Sequence, residues 1–262
     1  MSQYPVSSQV YSPVDQYVEE FANSIPVKHV VIDNFLDDSY AQSLYHDLPI
    51  MDGMPKSRDY VFSNKRELST LDTHSEISQK LHEVFMSQTF AKFVSQLVGH
   101  ELFIDPEYVG GGFHAGGVGS FLDFHTDFNV HPKHENWLRA LNVLLYLNPG
   151  WEQSWGGELL LTDSPSNPTT AVAPVFNRLV IMESTDQSFH GYRTINFPDG
   201  LSRRSIAAYG YAHVESGSVV RHTTNWAPEG AGPVKRILAK NWSALVLTKN
   251  RFFGSATLKN RR

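Results

Sequence analysis

Apolar positions change their rhythm near residue 100. Before it they recur every three or four residues, and after it they come in runs of four to eight broken by Gly, Pro, Asn and Asp. In the first segment, residues 14–25 carry a helical pattern and VKHVVIDNFL (27–36) reads as a strand. Asp37 or Asp38 can cap a helix running to about Leu48. A second helical stretch, from about Ser75 to Val98, puts Ile77, Leu81, Val84, Phe85 and Phe93 on a buried face. From Glu101 to about His213, the runs LFI, SFLDFH, RALNVLLYLN, GELLLT, AVAP, RLVIME, SFHGY and RSIAAYGYA predict eight short strands. No helical pattern separates them, which favours an antiparallel sandwich or barrel over a doubly wound parallel sheet. Further on, Ile237, Leu238, Trp242, Leu245 and Val246 return to helical spacing. The expectation is a mainly β protein with helical flanks, forming a single structural domain. An N-terminal helical and strand layer spans 1–100, a jelly-roll core 101–215, and a basic amphipathic helix and tail 216–262.

The chain has 262 residues, 12 histidines and no cysteine. That length can bury a full core without disulfide or metal staples. The lack of cysteine excludes a disulfide framework, thiolate zinc sites, iron–sulfur clusters and a cysteine nucleophile. Chemistry therefore falls to His, carboxylates, hydroxyls or a cofactor. The formal charge of −5 hides an asymmetry. Lys235, Arg236, Lys240, Lys249, Arg251, Lys259, Arg261 and Arg262 put eight basic groups and no acid into 235–262, leaving 14 basic against 27 acidic groups elsewhere, a net −13. Such a tail can meet nucleic acid or acidic lipid. Its helical apolar spacing favours instead a helix packed on the body with its charges solvated. The acidic body gives no reason to expect nucleic acid as substrate. Residues 1–26 lack the charged-then-apolar order of a secretory signal, and no apolar run approaches the ~20 residues that span a bilayer. The expectation is a cytoplasmic protein without a membrane partner.

Three clusters carry candidate chemistry. In Phe124-His125-Thr126-Asp127-Phe128, a His and an Asp two apart on a strand share a face and can bind one ion. A strand-end turn also supplies this pattern. His190, on a later strand, is the natural third partner. Two imidazoles and one carboxylate on one side of a metal leave positions open, as in non-haem Fe(II) oxygenases. A clamp by His131 and His134 is the lesser alternative, since both sit in a Pro-containing polar loop. In Arg203-Arg204-Ser205, Arg and Ser two apart share a strand face, and Arg can grip a carboxylate bidentately. If Arg203 points inward, Arg204 points outward, or the reverse; pairing with Ser205 favours Arg203. Tandem arginines are also commonly solvated. In the strand from Arg139 to Asn148, alternation puts Asn142, Leu144 and Tyr146 on one face and Leu141, Val143 and Leu145 on the other. That face reads as a cavity wall, or as a sheet with one buried Tyr.

Together, His125-x-Asp127, RALNVLLYLN, Trp151, WGGELLL, FNRLVIMESTDQSFHGY and RRSIAAYGY resemble the 2-oxoglutarate/Fe(II)-dependent dioxygenases, on the prolyl-hydroxylase-like branch, from about Gly110 to Tyr211. The resemblance implies a double-stranded β-helix with His125, Asp127 and His190 as iron ligands and catalytic residues. It implies Fe(II), 2-oxoglutarate and O2 as cofactor and co-substrates. Arg203 and Ser205 match the family's carboxylate anchor, Tyr146 a co-substrate contact, Leu159 an apolar wall and Asn142 a small polar lining. An Asp at 127, where related halogenases carry a small residue, implies hydroxylation. The chain departs from the family in the glycine-rich segment 110–119, with His114, and in 192–201 (YRTINFPDGL). Both are expected to edge the mouth, so His114 and Arg193 are candidate substrate contacts. A small molecule such as an amino acid or natural-product intermediate is favoured over a prolyl or other residue in a protein. A non-catalytic jelly roll is the alternative of another class.

Overall fold

The computed structural model describes residues 5–7, 9–54, 56–57, 59–167 and 169–253. The N-terminal part comprises α1 (Val14–Asn23), β1 (His29–Ile32), α2 (Asp38–Asp47), β2 (Lys56–Ser57), β3 (Ser63–Asn64) and β4 (Arg66–Leu68). Three helices follow: α3 (Leu71–His74), α4 (Glu76–Met86) and α5 (Gln88–Val98). Then come β5 (Phe103–Ile104), β6 (Gly112–Gly116), β7 (Phe121–Thr126), β8 (Trp137–Tyr146) and β9 (Leu159–Thr162). The chain continues through β10 (Thr170–Val172), β11 (Arg178–Glu183), β12 (Phe189–Tyr192), β13 (Arg203–His213) and β14 (Asn225–Trp226) to α6 (Pro233–Phe253).

The strands form two antiparallel sheets. The large one runs β1-β11-β8-β13-β6-β4-β2, with β5 also on β13, and the small one runs β10-β9-β12-β7-β14, with β3 also on β7. This is a double-stranded β-helix, the jelly-roll arrangement that the short, turn-separated runs predict. Alternation explains how one sheet serves both a core and a site. Leu141, Val143, Leu145 and Leu147, with Ile206 and Ala208, face the helices and join Phe21, Leu44, Phe85 and Phe90 in the main core. Burying each large side chain there contributes about 2 kcal/mol. The alternate residues Asn142, Leu144 and Tyr146 of β8, with Arg203, Ser205, Ala207 and Tyr209 of β13, line a cavity between the sheets.

Several local expectations change. Asp37 is the cap of α2, its carboxylate accepting from the Ser39 and Tyr40 amides. The 75–98 stretch is two helices, because Ser87 caps α5 by accepting from the Phe90 amide. Strands β1 to β4 carry the first hundred residues into both sheets, so this segment supplies sheet as well as cover. The glycine-rich segment, read as a mouth edge, holds β6, which lies between β13 and β4. Gly112 has φ 93°, and a Cβ there would stand 2.4 Å from the Leu68 carbonyl oxygen. A strand built on such close approach leaves no apolar rhythm to read.

Helix α6 packs Leu238, Ala239 and Trp242 against Phe62 and Trp226, and Lys235 pairs with Asp123 at 2.6 Å. Ile237 and Leu245, expected on the packed face, are 65% and 53% exposed. Lys259, Arg261 and Arg262 lie outside the described residues, as do the side chains of Lys249 and Arg251. Among the described residues no helix is long and apolar enough to cross a membrane.

Candidate metal centre and its cavity

His125 lies on β7, Asp127 just past its end, and His190 on β12 directly opposite His125. Cross-strand pairing brings the two rings to 4.3 Å between centroids. One ligand atom from each of His125, Asp127 and His190 lies within 4.8 Å of the others. The Asp127 carboxylate oxygens stand 3.7 Å from His125 Nε2 and 3.6 Å from His190 Nε2. The backbone permits this approach because residue 191 is glycine: a Cβ there would meet the Leu122 carbonyl oxygen at 2.5 Å.

The protons define what this cluster can hold. His125 Nδ1 lies 2.9 Å from the Asp123 carbonyl oxygen, and His190 Nδ1 lies 3.3 Å from that of Ser188. A carbonyl only accepts, so this network assigns the proton to Nδ1 and turns each Nε2 lone pair toward Asp127. Burial, with His190 alongside, drives His125 down to about 3, and burial lowers His190 as well. Burial alone would raise Asp127, but Arg139, then His190 and His125, and a hydrogen bond from Asn142 hold it well below the usual carboxylate range. Two lone pairs and an ionised carboxylate therefore converge on one point. That convergence is repulsive unless a cation sits there, and two imidazoles with one carboxylate suit Fe(II).

Behind Asp127 stands a residue the sequence pattern hides. Arg139 is buried, with Nη1 3.0 Å from Asp127 Oδ2. Its guanidinium lies between the Phe128 and Tyr209 rings, 3.8 and 3.7 Å from their centroids, and Nη2 donates to the Tyr211 hydroxyl at 3.3 Å. Asn142 Nδ2 donates to the same Oδ2 at 2.7 Å. Strict alternation would send Arg139 to the helical side with Leu141. Instead Gly210 opposes Leu141 and Tyr211 opposes Arg139, leaving Ala140 as a bulge. The one-residue slip turns Arg139 toward the metal centre.

Arg203 occupies another part of the cavity. Its Nε donates to the Gly157 carbonyl at 2.7 Å and its Nη2 lies 3.4 Å from the Tyr146 hydroxyl. Its guanidinium sits 4.2 Å from the Tyr192 ring centroid and 5.0 Å from that of Tyr146. No described carboxylate pairs with it. Gly157 has φ 89°, and a Cβ there would come within 3.0 Å of Arg203 Cδ. Arg204 points the other way, donating to the Tyr45 carbonyl at 3.2 Å and lying over the Tyr45 ring. Ser205, Tyr146, Leu159, Asn142 and His114 all line the cavity, and so do Tyr192 and Trp226, which the sequence reading did not single out. The Trp226 ring lies 4.8 Å from the His125 ring. Arg193 is not in the cavity. Strand alternation past Tyr192 turns it outward, where it is 62% exposed and pairs with Glu229 at 2.9 Å.

Residues 111–211 match the family model described as the 2OG-Fe(II) oxygenase superfamily. No curated protein sequence matches the chain. The fold is similar to that of a prolyl hydroxylase from Trichoplax adhaerens, solved with a peptide fragment of the hypoxia inducible factor oxygen degradation domain. That likeness has 18% identity and TM-score 0.51, covering 78% of this chain and 93% of the other. A Pseudomonas putida prolyl-4-hydroxylase is similar at 15% identity and TM-score 0.57, covering 77% of this chain and 100% of that one. A prolyl 4-hydroxylase from Phytophthora capsici is similar at 20% identity and TM-score 0.50, covering 78% of this chain and 66% of the other.

Proposed function

We propose that this chain, which belongs through residues 111–211 to the 2OG-Fe(II) oxygenase superfamily, hydroxylates an unactivated C–H bond of a small molecule. The balanced reaction joins substrate, 2-oxoglutarate and O2 and yields hydroxylated product, succinate and CO2. When bound, Fe(II) with 2-oxoglutarate supplies the activation of oxygen and the oxidising power. The protein binds, orients and excludes water. His125, Asp127 and His190 would hold iron through two Nε2 atoms and a carboxylate oxygen. Arg139 and Asn142 engage Asp127 Oδ2, which keeps that carboxylate ionised and fixed in direction. Arg203 would take the distal carboxylate of 2-oxoglutarate, with the Tyr146 and Ser205 hydroxyls beside it and Leu159 as apolar wall. Burial raises the Tyr146 and Tyr192 phenols, so both remain protonated and able to donate.

The observation that carries this reading is the pairing of a cation-seeking triad with Arg203, a buried guanidinium that has no carboxylate partner among the described residues. A cavity of about 190 Å³ around both favours a small substrate. A residue in a peptide is the second reading, suggested by the peptide-bound Trichoplax structure. Succinate formation from 2-oxoglutarate, measured with and without Fe(II) against amino acids, metabolites and proline-containing peptides, tests both. The expected result is iron-dependent succinate with a small molecule, lost in His125→Ala and Asp127→Ala. Iron-independent turnover, or turnover indifferent to either substitution, contradicts the proposal. Turnover with peptides alone selects the second reading.

A further inference from the structure

The inner face of the large sheet carries one polar row. Glu67 of β4 opposes His114 of β6, His114 opposes Ser205 of β13, and Ser205 opposes Tyr146 of β8. All four line the cavity. Strands lie ~4.8 Å apart, so Glu67 stands roughly 14 Å along the row from Tyr146. The Tyr146 end adjoins Arg203, the end assigned to 2-oxoglutarate. The Glu67 end has its own charges and no part in the reaction as described so far. Lys65 Nζ lies 3.3 Å from Glu67 Oε1, and the two side chains are 14% and 5% exposed. His114 Nε2 is 3.8 Å from the same oxygen, and its Nδ1 is 3.5 Å from Lys65 Nζ. Tyr60 and Trp226, 5.9 Å apart between ring centroids, form an aromatic flank of the same cavity.

We propose that Lys65 and Glu67 read the two charged ends of a small zwitterionic substrate of the α-amino acid class, its ammonium on Glu67 and its carboxylate on Lys65. The proposal rests on the oxygenase reading, which supplies the reaction. The two side chains present one cation and one anion side by side, so an ammonium and a carboxylate borne together on one ligand can each meet an opposite charge. Spacing agrees: two residues apart on an extended segment, both side chains project to one face, suited to two groups borne on one carbon. The aromatic flank is left for the substrate side chain.

The test uses the full chain, held anaerobically with Fe(II) and 2-oxoglutarate, whose visible absorption band reports a folded, loaded site. The twenty free L-amino acids are titrated calorimetrically, and each binder is compared with its N-acetyl and methyl ester forms. At least one free amino acid should bind, and blocking either group should weaken it tenfold or more. In Glu67→Gln the loss on N-acetylation should shrink to less than threefold while the loss on esterification persists; Lys65→Met should do the reverse. The proposal is overturned if none of the twenty binds, if blocked forms bind within threefold of the free ligand, or if neither variant changes either loss. Should a variant lose the band, Glu67→Asp or Lys65→Arg takes its place, and the wild-type comparison of free and blocked ligands still decides. An intact band without amino-acid binding defeats this proposal alone. A wild-type chain without the band defeats the oxygenase reading and this proposal with it.

Discussion

Arg139 and Arg203 lie on neighbouring strands of one sheet, both buried and both turned toward the cavity side, yet their surroundings differ. Arg139 has a carboxylate, Asp127 Oδ2 at 3.0 Å, and two flanking aromatic rings. Arg203 has a carbonyl, a phenol and two ring faces, and no described anion. A buried charge is tolerated when paired and is expensive when alone. The first arginine is thus complete within the protein and fixes one face of the metal centre. The second has no carboxylate partner among the described residues, which is why we propose that an incoming anion completes it. One sheet thus holds two arginines in opposite situations: one is paired with Asp127, and the other is the one to which we assign the co-substrate's carboxylate.

The largest effect that would break this contrast is on stability. Arg139→Met leaves Asp127 buried without its cation, which costs about 3–5 kcal/mol and lowers Tm by roughly 10 °C. Fe(II) affinity should fall about tenfold or more as the carboxylate loses its fixed direction. Thermal melts and metal titration check both, and an unchanged Tm would erase the distinction. Arg203→Met should act in the opposite sense. It removes a lone buried cation, so the ligand-free Tm stays level or rises, while 2-oxoglutarate binds roughly 100-fold more weakly for lack of a charge-assisted contact worth about 2–3 kcal/mol.

Acid offers a third test, on the metal-free protein. The unfolded chain protonates its histidines near 6.5, whereas in the fold His125 is depressed to about 3 and His190 is also lowered. The unfolded state then binds more protons, so stability falls as pH drops from 6.5 toward 3, by up to about 1.4 kcal/mol per pH unit for each such histidine. Asp127, lowered in the fold from 3.8, adds a loss below that pH. Arg139→Met should shrink the Asp127 part of the curve, and Arg203→Met should leave it as in the wild type; denaturant melts across pH check this. The smallest effects belong to the outward arginines. Arg204→Ala should cost about 1 kcal/mol through lost contacts with Tyr45 and leave 2-oxoglutarate affinity unchanged. Arg193→Ala, on an exposed pair with Glu229, should cost less than about 1 kcal/mol and change neither ligand.

What was legible in the chain follows from where periodicity survives. The ten- and eleven-residue strands β8 and β13 display alternation, so Asn142 could be grouped with Tyr146 and Arg203 with Ser205, opposite Arg204, while alternation alone left open which face turns inward. Arg139 could not, because the bulge at Ala140 shifts the phase by one residue, and a bulge leaves no mark in an apolar run. A lone arginine opening such a run was the available signal. Glu67 sits on a strand of three residues and Lys65 in the link between it and a strand of two, segments too short to show a period. Arg193 was misplaced by counting from His190 without the turn outward after Tyr192. In α6, helical spacing alone could not tell the seam holding Leu238 and Trp242 from the one exposing Ile237 and Leu245.

The most direct measurement is an anaerobic titration of 2-oxoglutarate into Fe(II)-loaded protein, followed by the visible absorption band of the bound keto acid. A saturable band is expected in the wild type, with a midpoint displaced about 100-fold upward in Arg203→Met and no band in His125→Ala. No band in the wild type, or an undisplaced midpoint in Arg203→Met, would contradict this expectation.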